Sequence, residues 1–154
     1  MASTADNAAR EEVRQAGLSA DGPVPRLLTL LRTAEETHLD IAEAQRIAAE
    51  GGLAIGRAEI GDLMEAMVAH GLLGRVPTAG GVLLYDTIAH PHSHMLDDAT
   101  ATMVDLDVTP ETLSAIVTRA IAEQPGRVEV LLRIRAPEKG RDGPTKRGRP
   151  RRGA

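Results

Sequence analysis

The chain has no cysteine, no phenylalanine and no tryptophan, and Tyr85 is its only aromatic residue among Phe, Trp and Tyr. Without cysteine there can be no disulfide, no thiolate zinc site and no cysteine nucleophile. Without large rings, the core of this 154-residue chain must be filled by Leu, Ile, Val, Ala and Met, which a 42% hydrophobic content permits. That length suits one domain or two small ones. No run approaches the roughly 20 apolar residues of a membrane span. The N-terminus is polar and charged, unlike a secretory signal. The expectation is a soluble, cytoplasmic protein with no membrane partner.

The net charge of −4 hides an asymmetry. From Glu138 to Ala154 seven Lys/Arg face two acids, a balance of +5, so the remaining body carries −9. A basic tail on an acidic body often marks an interaction arm, although a solubilising end has the same composition.

Hydrophobic periodicity divides the body into helices and then strands. A first helix is expected from about Ala8 to Ala16, stopping at Gly17. Pro23 and Pro25 mark the start of a second, in which Val24, Leu27, Leu28 and Leu31 share a face. Leu39 to Ala49 reads as a third, with Ile41, Ala44, Ile47 and Ala48 inward and Gly51-Gly52 closing it. Arg57 to His70 reads as a fourth, carrying Ile60, Leu63, Met64 and Met67 on one side. A hairpin follows, Leu73 to Val76 and Val82 to Tyr85. This order matches a winged helix-turn-helix. Beyond it, His90 to Leu96 and Ala101 to Leu106 read as strands around Asp97-Asp98. Thr109-Pro110 opens another helix, and Arg127 to Arg135 alternates as a closing strand. The fold class is therefore α+β, an N-terminal winged helix-turn-helix followed by a small α/β domain. Residues 1–7 are read as a flexible N-terminus, 8–86 as the winged-helix domain, 87–136 as the second domain and 137–154 as a disordered basic tail.

The chemistry concentrates in His90-Pro91-His92-Ser93-His94, flanked by Asp86 and Asp105. On an extended strand alternate side chains share a face, so His92 and His94 point the same way. Imidazoles with nearby carboxylates suit iron, manganese or zinc. On spacing alone a His-x-His pair is more often solvated than metal-bound, and His38 alone reads equally as a surface residue before a helix. His90 is a further candidate metal residue, but Pro91 removes a ladder hydrogen bond and can turn His90 away. His70, beside Gly71, fits a helix C-terminus.

These residues together resemble the ferric uptake regulator (Fur) family of dimeric metal-sensing repressors, over roughly Val13 to Arg135. The resemblance rests on Tyr85-Asp86-Thr87, on His92-Ser93-His94, on Val104-Asp105-Leu106 and on His38-Leu39-Asp40-Ile41-Ala42-Glu43. Asp86, His94 and Asp105 reproduce the family's intervals of eight and eleven residues. The closing Val128 to Arg135 looks like the last strand of iron-response regulators. The resemblance implies a regulatory metal site formed by His38, Asp86, His92, His94 and Asp105, holding Fe(II), Mn(II) or Zn(II). It also implies a homodimer joined through residues 87–136, a DNA operator as partner, and a metal that sets the angle between two domains.

Three departures narrow this expectation. The family's structural zinc site uses paired Cys-x-x-Cys motifs, the first of which would fall at Asp97 and Thr100. No structural zinc held by four cysteines is therefore expected, and dimer stability rests on residues such as Leu106, Leu113, Ile116, Val117 and Leu131. A further metal site of some members would need ligands at Pro91 and Ser93. The Tyr-Arg pair that touches DNA in the family falls on Gly61 and Asp62, flanked by Glu59 and Glu65. Carboxylates there meet phosphate repulsion, and Gly61 costs the helix roughly 1 kcal/mol against Ala. Between Glu35 and His70 the balance is −6. The tail offers another contact: Lys146-Arg147-Gly148-Arg149-Pro150-Arg151-Arg152 resembles an AT-hook. Arg147, Arg149, Arg151 and Arg152 are thus the candidate DNA-binding residues, directed at narrow A·T-rich minor grooves.

The functional expectation is a metal-responsive transcriptional regulator controlling iron or other metal homeostasis. The alternative is a degenerate metal-binding dimer that has lost operator recognition and acts through protein partners. An enzyme is not expected, because five protein ligands leave little open coordination and no nucleophile or base accompanies them.

Overall fold

The computed structural model describes residues 3–76, 78 and 82–134. Five helices and five short strands follow one another along these residues. Helix α1 (Thr4–Gln15) starts four residues before the expected Ala8. Ser3 accepts the Asp6 amide while the Asp6 carboxylate accepts the Ser3 amide, a capping box that satisfies two otherwise orphaned donors. Gly17, at φ +87°, turns the chain out of α1. Helix α2 (Val24–Thr33) has no side-chain cap and starts on Pro23 and Pro25, whose missing amides cost nothing there.

The third helix is shorter at its start than its periodicity suggests. Leu39 is not helical: His38–Leu39 form a two-residue strand, β1, and Asp40 then caps α3 (Ile41–Glu50) in a second capping box with Glu43. The cap, not the apolar pattern, sets the boundary. Helix α4 spans Arg57–Ala69 and is closed by His70 and Gly71. His70 Nδ1 donates to the Ala16 carbonyl at 2.7 Å, so the ends of α1 and α4 are tied together. Strands β2 (Gly74–Val76) and β3 (Leu84–Asp86) form the wing, and β3 lies in the middle of an antiparallel sheet ordered β1-β3-β2. The register places His38 opposite Asp86 and Arg75 opposite Tyr85.

Leu27, Leu28, Leu31, Ile60, Met64 and Met67 are fully buried between these helices, each contributing about 1.5–3 kcal/mol of transfer free energy. Tyr85, on the wing, completes this cluster and is 1% exposed. The inward faces expected for α2, α3 and α4 are therefore the faces that pack, with Ile41, Ile47 and Leu63 only partly covered.

Strands β4 (Ser93–Asp97) and β5 (Thr102–Leu106) make a separate hairpin in which His94 pairs with Asp105. Its turn is closed by Asp97, whose Oδ1 accepts the amides of Ala99 at 2.9 Å and Thr100 at 3.4 Å. Asp97 and Thr100 are the positions that the family resemblance pairs with cysteines.

Contacts divide the chain into two compact units. The first ends at Asp107 and contains the helices α1 to α4, the wing and the β4–β5 hairpin. The second begins at Val108 and contains α5 (Pro110–Glu123), capped by Thr109, whose hydroxyl accepts the Thr112 amide at 3.2 Å. No residue of α5 is fully buried. The expected closing strand from Arg127 to Arg135 is not formed over residues 127–134, and Arg135 lies outside the described residues. A strand requires an edge to pair with, and here Val130, Leu131, Leu132 and Ile134 stand 61–86% exposed. The basic tail, with Arg147, Arg149, Arg151 and Arg152, also lies outside the described residues. No helix among the described residues is long and apolar enough to cross a membrane.

Candidate metal centre

Two cross-strand pairs build the site. His38 and Asp86 face each other across β1 and β3, and His94 and Asp105 face each other across β4 and β5. Directly opposed residues share a face of the sheet, so each pair presents one imidazole and one carboxylate. His92, just before β4, adds a third imidazole. One nitrogen or oxygen from each of these five residues lies within 4.8 Å of every other.

The distances show how tightly they converge. Asp86 Oδ2 lies 3.4 Å from His38 Nε2 and 3.0 Å from the Nε2 atoms of both His92 and His94. Asp105 Oδ1 lies 3.0, 2.9 and 3.2 Å from the same three nitrogens. Donors bound to a first-row divalent ion at about 2.1 Å stand roughly 3.0 Å apart when adjacent and roughly 4.2 Å when opposite. The six imidazole–carboxylate separations, from 2.9 to 3.4 Å, match the adjacent spacing.

In three of the five side chains the atom turned away from the centre is held by the protein, which orients the other atom inward. Asp86 Oδ1 accepts the Ile88 amide at 2.8 Å. His92 Nδ1 donates to the His90 carbonyl at 2.8 Å, which orients the ring and directs Nε2 into the site. Asp105 Oδ2 is 3.5 Å from the Thr37 hydroxyl, a contact at the outer limit of a hydrogen bond.

His38 Nε2 supplies the test of fit. It is buried and makes no hydrogen bond, although carboxylate oxygens of Asp86 and Asp105 lie 3.4 and 3.0 Å away. A buried polar atom without a partner calls for an ion or water. Three imidazoles and two carboxylates around one point are also a donor set suited to Fe(II), Mn(II) or Zn(II). The residues present therefore fit a divalent metal ion.

Electrostatics agree with the convergence. Burial opposes the charged form of His92, but the His90 carbonyl, the Asp105 hydrogen bond and the charges of Asp86 and Asp105 outweigh it and raise its pKa. Burial likewise opposes ionised Asp105, but His92 and the positive fields of His38 and His94 outweigh it and lower its pKa. The same Nε2 of His92 can thus hold a proton against Asp105 or present its lone pair to a cation.

His90 stands apart from the five. Its ring is exposed and 5.6 Å from that of His92 between centroids, and it contributes through its main-chain carbonyl. Thr37 and Glu65 take roles that the sequence motifs do not single out. Thr37 adjoins His38 and could be suspected from that adjacency. Glu65, read as part of an acidic groove-facing surface, instead accepts the Tyr85 hydroxyl and the Arg75 guanidinium. Twenty residues separate it from Tyr85, and no local pattern signals the contact. Glu59 and Asp62 remain exposed on α4.

No protein-family model matches the chain, and no curated protein matches its sequence. Solved structures do match. The ferric uptake regulator from Pseudomonas aeruginosa with manganese is 22% identical, with TM-score 0.62, over 86% of this chain and 98% of that one. The Vibrio cholerae ferric uptake regulator is 17% identical, with TM-score 0.58, over 79% and 92%. A zinc-bound manganese uptake regulator is 22% identical, with TM-score 0.55, over 82% and 94%. The chain therefore has the fold of the ferric uptake regulators, a winged helix followed by a small α/β portion.

Proposed function

We propose that the chain is a cytoplasmic, metal-responsive transcriptional regulator of the Fur type, acting on DNA as a homodimer. The observation that carries this reading is the convergence of His38, Asp86, His92, His94 and Asp105 on one point, with His38 Nε2 lacking a hydrogen-bond partner. A bound divalent ion would supply the positive charge that two carboxylates and three imidazoles can share. His38 and Asp86 would fix one end of the site to the winged helix, while His92, His94 and Asp105 would fix the other end to the β4–β5 hairpin. Such a site stabilises only the arrangement in which both halves meet, which is the differential affinity that a switch requires.

Dimerisation is supported by the apolar side chains left uncovered from Val130 to Ile134, with Met95, Leu96 and Val104 on the hairpin. Exposed apolar patches of this kind favour association. DNA contact is assigned to the tail residues Arg147, Arg149, Arg151 and Arg152, since Glu59 and Asp62 would repel phosphate from α4. Those two acids also favour the second reading, a metal-binding dimer without operator recognition.

A mobility-shift experiment separates the two readings, using the full chain and a chain stopped at Ala136, each with and without Zn(II) or Mn(II). The regulator reading expects metal-dependent binding of A·T-rich DNA by the full chain and weaker, less salt-sensitive binding by the shorter one. If neither chain binds with or without metal, the regulator reading fails.

A further inference from the structure

Tyr85 and Asp86 are consecutive residues on β3, the middle strand of its sheet, so their side chains leave opposite faces. The Asp86 carboxylate enters the candidate metal centre, while the Tyr85 ring enters the helical core; they are 2% and 1% exposed. The strand between them is held on both edges, by Leu39 and His38 of β1 and by Arg75 and Gly74 of β2. At the far end of the ring, the Tyr85 hydroxyl donates to Glu65 of α4, and the same carboxylate accepts Arg75.

Helix α4 otherwise packs through Ile60, Met64 and Met67. Those contacts are non-directional, and methionine adapts readily to a shifted neighbour. The bonds made by Glu65 are directional and charge-assisted, and they weaken steeply with distance and angle. They therefore add a directional constraint on where α4 sits to the one that its close-packed apolar contacts supply. We propose that the Tyr85–Glu65 hydrogen bond is a positioning link, through which occupancy of the metal centre at Asp86 sets the placement of α4 against the wing. The inference rests on the reading of the centre as a metal site. Glu65 then belongs to the switch, not to an acidic surface turned toward DNA.

The chain carries its own reporter, because one tyrosine and no tryptophan make all its intrinsic emission that of Tyr85. A carboxylate that accepts a phenolic hydroxyl quenches that emission. The test titrates Zn(II) into the full chain, following heat by calorimetry and tyrosine emission in parallel, for wild type and Glu65→Gln. Glutamine keeps an acceptor of similar shape and removes the charge. The expected result is zinc binding by both proteins, with a zinc-dependent change of emission in wild type that is lost in Glu65→Gln. Raman spectroscopy of the tyrosine Fermi doublet in wild type, with and without zinc, reads the same hydrogen bond without relying on a variant that folds. Binding accompanied by an unchanged doublet, or by equal emission changes in wild type and a folded Glu65→Gln, overturns the link while leaving the metal site intact. Absence of calorimetric binding overturns the site and the link together.

Discussion

Replacing Asp86 by Asn tests the centre at the more deeply buried of the two carboxylates that reach all three imidazoles. Asp86 Oδ2 is within 3.4 Å of all three imidazole Nε2 atoms, and the residue is 2% exposed, so solvent offers little replacement for the lost charge. Asparagine conserves shape and can still accept the Ile88 amide through its oxygen. What it removes is one of two negative charges and one inward-facing donor. Changes in the outer shell of metal sites cost about 10–100-fold in affinity, so a change among the inward donors should cost more than about 100-fold, or roughly 2.7 kcal/mol. His90→Ala is the internal control. It deletes an exposed ring but keeps the carbonyl that orients His92, and it should cost less than about tenfold. Competition with a chromophoric zinc chelator measures both, with circular dichroism confirming the fold. His92→Ala and Asp105→Ala should follow Asp86→Asn. Equal losses from His90→Ala and Asp86→Asn would show that the site has been misplaced.

Two further outcomes concern stability. Gly61→Ala should stabilise α4 by about 0.5–1 kcal/mol in urea unfolding, because an added Cβ would meet only the Ile41 Cδ1 atom at an ordinary 3.5 Å; a lower midpoint would contradict this. Glu12 grips Arg32 with both oxygens, at 2.6 and 2.8 Å, and that hydrogen bond and charge hold its pKa below the ordinary glutamate range against the opposing effect of burial. A depressed folded-state pKa contributes stability above the unfolded value that is lost as pH falls through the folded one. Since the pair is partly solvated, Glu12→Gln should cost no more than about 0.5–1 kcal/mol near neutrality, and its difference from wild type should shrink in acid. A difference unchanged from neutral to acidic pH would assign the effect to packing.

The parts of this chain that are legible in its sequence are those governed by local rules. Leu27, Leu28 and Leu31 recur at helical spacing and are buried, and His92 and His94, two residues apart in an extended stretch, reach one centre although His92 lies just before β4. The start of α1 is also written locally, in Ser3 and Asp6, but periodicity overlooks a polar capping box. Residues 127–134 have the alternation of a strand, yet alternation specifies a face and not a partner, and no edge within the described residues pairs with them.

Sequence by itself determined the composition of the centre: which imidazoles and carboxylates were available, at what intervals, and without any thiolate. It also determined which faces of α2, α3 and α4 must be covered, because a fixed helical period makes the apolar stripe unavoidable. Tertiary structure alone decided that His38 joins a strand against Asp86, that its Nε2 is buried without a hydrogen bond, and that Glu65 turns away from its acidic neighbours to Tyr85. Those outcomes depend on contacts between residues 20 and 48 positions apart. Such pairings are selected by the packing of whole elements, which no local pattern records.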